Sequence, residues 1–318
     1  MTAVAIETHG LRKVYGRTVG LDALDLRVEP GEVFGFLGPN GAGKTTAVKL
    51  LLGLTRPTAG TGQVLGRPIG DRQTRRRVGY LPELFRYQAW LSAHEVLTLH
   101  AQLGGLPANG RQGEIERVLG LAGLADRAGD RTGGFSKGMQ QRLGLAAALI
   151  GDPALVILDE PTSALDPVGR DDVRAIIREA RERGSAVFLN SHLLGEVERL
   201  CDRVAIINHG RVIAAGTLVD LLGESAVRMR VTGLPGDGAA EAALSPFGAL
   251  TYDDDWLTIH PIDPDRVPDA VAAVVGLGGR VHAVDPGRRS LEDLFLGMVR
   301  EDDPEAAPTA SSPGSPSA

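Results

Sequence analysis

The sequence predicts an α/β fold, because three short apolar strands each end in residues of chemical character. Val33-Phe34-Gly35-Phe36-Leu37 runs into Gly38-Pro39-Asn40-Gly41-Ala42-Gly43-Lys44-Thr45, and Thr46 to Leu52 leaves that turn with helical spacing. Ala154 to Leu158 carries Asp159-Glu160 at its C-terminal end, and Ala186 to Leu189 is followed by Asn190-Ser191-His192. Open α/β sheets bind ligands at the carboxyl ends of their strands, so all three segments aim at one site.

The first of these turns fits G-x-x-x-x-G-K-[ST] at every fixed position, in the strand-turn-helix context the motif requires. Gly38, Gly41 and Gly43 have no side chain to block their amides, so successive N–H groups can close on an anion at a helix N-terminus. Pro39, Asn40, Ala42 and Thr46 complete the cradle. Lys44 reaches β- and γ-phosphates in such a motif, and the Thr45 hydroxyl is a ligand for Mg²⁺. Asp159 also suits Mg²⁺, directly or through water, while Glu160 suits the water that attacks a γ-phosphate. Adjacent carboxylates at the end of a buried strand are costly unless they hold a metal or a polarised water. His192 follows the third strand aimed at this site and is read with it.

Upstream, residues 4 to 37 alternate apolar runs (Val4 to Ile6, Val19 to Leu21, Leu24 to Val28) with Gly and charged turns, a mostly antiparallel pattern. Tyr15 lies in this stretch, where a single aromatic by itself reads as core rather than as a platform for a base. Arg72 to Arg77 form a basic cluster with the character of a solvated face. Residues 84–150 have a mostly helical texture: Ser92-Ala93-His94-Glu95 is a capping box, with Val96, Leu97, Leu99 and Leu103 as one face of the helix it starts. A second helix is predicted around Glu114 to Leu121. Ser136 caps a third that continues through Leu149, and alone it reads as an ordinary N-cap after a Gly-Gly turn.

Past the acidic pair, Asp166-Pro167 opens a helix whose apolar face is Val173, Ile176, Ile177 and Ala180, ended by Gly184. Arg203 to Asn208 and Arg211 to Ala214 form a hairpin about His209-Gly210, with a short helix from Thr217 to Leu222. The texture then changes. Val227, Met229 and Val231 alternate as a strand, Trp256 to Ile259 and Arg280 to Val284 are two more, and Val267, Val271 and Val274 mark a helix. A last helix is capped by Ser290-Leu291-Glu292-Asp293, with Leu291, Leu294, Phe295 and Met298 on one face. Residues 224–300 thus read as a small α+β domain without a chemical motif, and 301–318, rich in Pro, Ser, Ala and acids, as a disordered tail.

The 318 residues allow about two domains. With 34 basic and 40 acidic residues the net charge is −6, and no basic field points to nucleic acid as the main partner. One cysteine, Cys201, excludes an internal disulfide and suits a reducing compartment as a buried structural thiol. No signal peptide is expected, and the longest apolar runs fall short of the roughly 20 residues needed to cross a bilayer. Any membrane spans would have to come from another chain.

In order, Tyr15, the cradle 38–45, Ser136-Lys137-Gly138-Met139-Gln140, Leu155 to Glu160, Ser163-Ala164-Leu165-Asp166 and His192 resemble the ordered motif set of an ABC-transporter ATP-binding subunit, over roughly residues 4–222. The resemblance implies a P-loop ABC-type ATPase core with an antiparallel β subdomain and a helical subdomain (84–150) within an ATP-binding domain 1–223, plus the accessory domain 224–300. It implies a homodimer sandwiching two ATP molecules, Ser136 and Gly138 of one copy, with Gln140 in the same motif, facing the γ-phosphate held by the other. It implies that Tyr15 stacks on adenine, that Glu160 is the general base, that His192 contacts the γ-phosphate, and that Asp166 communicates across the dimer. Two positions depart from the family pattern. The signature usually written LSGGQ stands here as Phe135-Ser136-Lys137-Gly138-Met139-Gln140, and the loop after Tyr80-Leu81-Pro82 offers Glu83 where Gln is usual. Glu83 can still reach Mg²⁺ or water, although its charge adds repulsion near phosphates, and it joins Thr45 and Asp159 as a candidate metal residue.

The Gly79 to Glu83 loop, the C-terminal domain and the Ser290 to Leu296 ending resemble the drug-resistance and export type. Its ATPase is a separate cytoplasmic chain held at the membrane by a permease whose helices dock on the helical stretch. Two alternatives stand beside this reading. One is a soluble ABC ATPase of DNA repair or translation, against which speak the single cradle, the single Cys and the lack of a heptad run. The other is a non-hydrolysing nucleotide sensor, against which the presence of Glu160 and His192 speaks.

Overall fold

The structure is a computed structural model, and it describes residues 4–163, 165–223, 226–235, 238–285 and 290–302. Ala164 and residues 303–318, the bulk of the expected tail, lie outside the described residues. The chain divides into two compact units, one running to Ala215 and one from Gly216.

The first unit is built on a ten-stranded sheet. Its elements are β1 (Ile6–Tyr15), β2 (Thr18–Val28), β3 (Val33–Leu37), α1 (Lys44–Leu51), β4 (Ala59–Val64), β5 (Arg67–Pro68), α2 (Arg72–Arg75), β6 (Val78–Leu81), α3 (Ala93–Leu103), α4 (Ala108–Leu121), α5 (Lys137–Leu149), β7 (Leu155–Asp159), α6 (Pro167–Glu182), β8 (Ala186–Asn190), α7 (Leu194–Leu200), β9 (Arg203–Asn208) and β10 (Arg211–Thr217). The strand order is β5-β4-β1-β2-β10-β9-β3-β8-β7-β6. β1, β2, β4 and β5 pair antiparallel, whereas β3, β6, β7, β8 and β9 pair parallel.

Every residue of β3, β7 and β8 is buried, as expected of parallel strands covered on both faces. Phe188 on β8 packs between Phe34 and Phe36 of β3, with ring centroids 6.1 and 5.2 Å away. The parallel register brings Phe36, Asn190 and Asp159 into line across three neighbouring strands, with Leu158 opposite Leu81. The carboxyl ends of these strands therefore carry together the turn after β3, the Asp159-Glu160 pair at the end of β7, the Asn190-Ser191-His192 run that ends β8 and the Pro82-Glu83 loop after β6.

Several expectations are refined. β1 and β2 are longer than the apolar runs suggest, and β2 runs unbroken through both of them. β4 reads Ala-Gly-Thr-Gly-Gln-Val, with no apolar alternation, and forms only because β1 offers it an antiparallel partner. α4 begins at Ala108, ahead of Glu114. The capping box at Ser92 and Glu95 is present, but the buried face of α3 is Ala93, Val96, Leu97 and Ala101, while Leu99 and Leu103 are 43% and 75% exposed. Leucine spacing alone thus placed the apolar stripe off to one side of the true contact, which small alanines make. The predicted face of α6 is buried as expected, as is Cys201, whose thiol is held protonated by burial. β9 and β10 are sheet neighbours joined at His209 and Gly210, both with positive φ, as the predicted hairpin requires. The basic cluster is solvated: Arg72, Arg75, Arg76 and Arg77 are exposed around buried Thr74.

The second unit contains α8 (Leu218–Leu222), β11 (Val227–Thr232), α9 (Ala239–Leu244), β12 (Ala249–Asp253), β13 (Trp256–His260), α10 (Val267–Gly276), β14 (Arg280–Asp285) and α11 (Leu291–Asp302). Its sheet, ordered β12-β13-β11-β14, is antiparallel throughout, and the chain order β-α-β-β-α-β makes it a split βαβ arrangement. Val227, Met229, Leu257 and Ile259 form its core with Leu244 of α9 and Ala270 and Val274 of α10. Ser290 caps α11, which continues through Asp302, two residues into the segment expected to be disordered. Among the described residues no helix is long and apolar enough to cross a membrane.

Candidate functional site

The turn after β3 is shaped by what its glycines lack. Gly43 stands at φ 107°, a left-handed conformation that disfavours any Cβ, and caps α1 without a side chain. A Cβ at Gly38 would lie 2.4 Å from the Ile207 carbonyl oxygen, so the turn is pressed against β9. Helix geometry leaves the first-turn amides of α1 without partners inside the helix, the arrangement that suits an anion. Lys44 is only 9% exposed. Its ammonium donates to the carbonyls of Gly38 (2.5 Å) and Pro39 (3.1 Å). Burial pulls its pKa down, and the charges of Glu160, Asp159 and Glu83 push back. Thr45 is exposed at the start of the helix.

Asp159 and Glu160 are both buried. Burial pushes the Asp159 carboxyl up from the ordinary range, the Asn190 amide opposes this with a 2.5 Å hydrogen bond, and Glu83 and Glu160 push up further. Glu160 sits at φ 52°, its amide donating to the Asn190 carbonyl at 2.8 Å. The ring of His192, 56% exposed, places Nδ1 2.7 Å from Glu160 Oε2. That buried oxygen makes no hydrogen bond, with the His192 ring as its close neighbour. Glu83 is exposed, with its charge felt at Lys44, Asp159 and Tyr80.

Tyr15 closes β1 and is 46% exposed, with Lys13 Nζ 5.0 Å from its ring centre. A Cβ on Gly20 would touch both its ring and the Thr46 hydroxyl, so Tyr15 stands beside the helix that leaves the cradle rather than in the core. The remaining candidates lie elsewhere. Ser136, Gly138, Leu165 and Asp166 line a groove of about 460 Å³ with Arg142 and Asp172, and no cradle residue borders it. Ser136 Oγ accepts from the Met139 amide and Asp166 from that of Gly169, each capping its own helix. Gln140 turns back to the Phe135 carbonyl.

Asn190, for which the sequence predicts no role, touches both acids. The available signal was a polar residue closing an otherwise apolar buried strand. The Arg174–Glu196 ion pair between α6 and α7, at 2.7 Å and buried on both sides, had no sequence signal.

A cation fits here with few protein ligands. Among the described residues no three His, Cys, Asp or Glu side chains are grouped to hold a metal alone. A divalent ion at Thr45 and Asp159 would therefore take most of its oxygens from phosphate and water, the coordination Mg²⁺ favours.

The family model described as "ABC transporter" matches residues 21–163, and a model for an AAA domain matches 131–198. An ABC transporter ATP-binding protein of Nostoc sp. (strain PCC 7120 / SAG 25.82 / UTEX 2576) is 42% identical, over 95% of this chain and 92% of its own length. The Nod factor export ATP-binding protein I of Burkholderia thailandensis is 36% identical, over 94% and 98%. The daunorubicin/doxorubicin resistance ATP-binding protein DrrA of Streptomyces peucetius is also 36% identical, over 93% and 92%. A solved ATP-binding subunit of an ABC transporter superposes with a TM-score of 0.64 at 32% identity, covering 68% of this chain and 91% of that one.

Proposed function

The chain belongs to the ABC transporter family, as an ATP-binding subunit that hydrolyses ATP, and on that premise we propose that it drives export through a separate transmembrane permease. The observation that carries the chemistry is the convergence of Lys44, Asp159, Glu160 and His192 at the carboxyl ends of parallel strands, where the two acids act on the charge of the lysine. Export is supported by two relatives matched along nearly their whole length, one a Nod factor export protein and one a drug-resistance protein. The DNA-repair or translation reading finds no support among the relatives.

In this reading backbone N–H groups of residues 40–45, which follow Pro39 with its missing N–H, and the Lys44 ammonium hold the β- and γ-phosphates, Lys44 leaving the Gly38 and Pro39 carbonyls to do so. Thr45 and Asp159 would hold Mg²⁺, which when bound would neutralise phosphate charge. Glu160, its Oε2 buried and without a hydrogen bond, accepts a proton from the attacking water, and His192 beside it faces the γ-phosphate. Tyr15 offers its exposed ring to adenine. Glu83 reaches the site by charge from the loop after β6. The groove at Ser136, Gly138 and Asp166 is separate from the cradle of its own chain, which supports a homodimer in which each copy completes the site of the other, with Gln140 bracing the signature turn. We assign residues 1–223 to the ATP-binding domain, 84–150 within it to the helical subdomain that meets the permease, and 224–300 to an accessory domain. The protein then works at the cytoplasmic face of the membrane, with no role for nucleic acid.

The test is steady-state hydrolysis of Mg-ATP by wild type and Glu160→Gln. Turnover should fall by at least about 100-fold in the variant while ATP binding persists. Unchanged hydrolysis would remove Glu160 as the base. Purification of the native complex should bring down an integral membrane protein; ribosomes or DNA instead would overturn the transport reading.

A further inference from the structure

Asn190 is the last residue of β8 and only 2% exposed. It lies in register with Asp159 on β7. Its side-chain N–H donates to Asp159 Oδ1 at 2.5 Å, while its carbonyl accepts the Glu160 amide at 2.8 Å. One residue thus grips both acids, one through its side chain and the other through its main chain. The amide is turned so that nitrogen faces the carboxylate, and its own Oδ1 is left buried without a partner. A buried acceptor without a partner is destabilising, so the contact to Asp159 is kept at a cost elsewhere in the same side chain.

We propose that Asn190 is a positioning residue that ties down one oxygen of Asp159 and so presents the other to the metal ion of the bound nucleotide. This rests on the reading of Asp159 as the metal acid. A carboxylate free to rotate would share its two oxygens among several orientations. Pinning Oδ1 from the neighbouring strand leaves one orientation, set by the sheet register rather than by a loop. The same strand holds the Glu160 main chain in its left-handed conformation, so metal acid and base are fixed by a single neighbour.

The experiment uses the full chain and Mn²⁺ as probe. Binding of a fluorescent ATP analogue is measured in EDTA, and Mn²⁺ affinity at saturating ADP is read from the electron paramagnetic resonance of free Mn²⁺. Asn190→Leu keeps the volume and removes the donor, and Asn190→Asp keeps the shape and opposes the carboxylate. Both should bind the analogue in EDTA within about two-fold of wild type and bind Mn²⁺ about ten-fold more weakly, the loss expected for one charge-assisted hydrogen bond. Asn190→Ser, with a short donor, should recover part of that loss. Equal losses with and without metal in both variants would mark a purely structural residue and overturn the proposal. Asp159→Asn serves as the control. If it weakens Mn²⁺ and the Asn190 variants do not, the positioning role fails alone; if none of them weakens Mn²⁺, the metal reading of Asp159 fails and takes this role with it.

Discussion

In the proposed reading, Lys44 is the residue on which nucleotide binding turns. Its ammonium is already desolvated and directed at the turn, so a triphosphate receives a preorganised charge rather than one drawn from water. Lys44→Ala should weaken Mg-ATP binding by about 10- to 100-fold, the worth of a charged hydrogen bond, as measured by titration calorimetry. The glycines around it make a sharper comparison. Gly38→Ala drives a methyl into the Ile207 carbonyl and should cost about 1–3 kcal/mol of stability as well as binding. Gly41 has open space around it at φ 84°, so Gly41→Ala should cost only about 1–2 kcal/mol of backbone strain, both read by urea unfolding. These positions were legible in the sequence because the motif is contiguous and its geometry local. The grip of Asn190 on Asp159 was not, since the partners are 31 positions apart and meet only when β7 and β8 pair.

The helices show how local signals and packing divide the work. Ser92 and Glu95 make their reciprocal hydrogen bonds as four consecutive residues announced, and Ser92→Ala should lower stability by about 1 kcal/mol. Which face of α3 is buried was decided by its neighbours, which is why Leu99 and Leu103 face outward. His100 on the same helix packs edge-on against Tyr87, and burial lowers its pKa below 6.5. A base whose folded pKa is depressed takes up its proton in the unfolded chain first. The contribution of His100 is therefore intact above pH 6.5 and is lost as pH falls from there toward the folded value. Unfolding midpoints of wild type should decline over that range more steeply than those of His100→Gln. Arg174 of α6 meets Glu196 of α7, the helix that begins two residues after His192. Breaking that buried pair with Arg174→Met should destabilise by about 3 kcal/mol, because Glu196 is left charged and unpaired.

The two compact units carry different kinds of information. All candidate chemistry lies in the first, whereas the second is a split βαβ domain without a catalytic motif, which the sequence conveyed only as a change of texture near Gly223. Residues 1–223 expressed alone should bind ATP within about two-fold of the full chain if the ATP-binding domain is self-contained; a larger loss would assign the second unit a part in the site. By itself the sequence determined the cradle, its flanking strand and helix, the acids at a strand end and most helix caps. Each depends on residues within a few positions of one another, where backbone geometry leaves little choice. Tertiary structure alone decided the strand order, the pairing of β4 with β1, the clasp of Asn190 on the acids and the separation of the Ser136 groove from the cradle. Those arrangements join segments far apart in the chain, and only the burial of β3, β7 and β8 side by side selects them from the many pairings that local propensity allows.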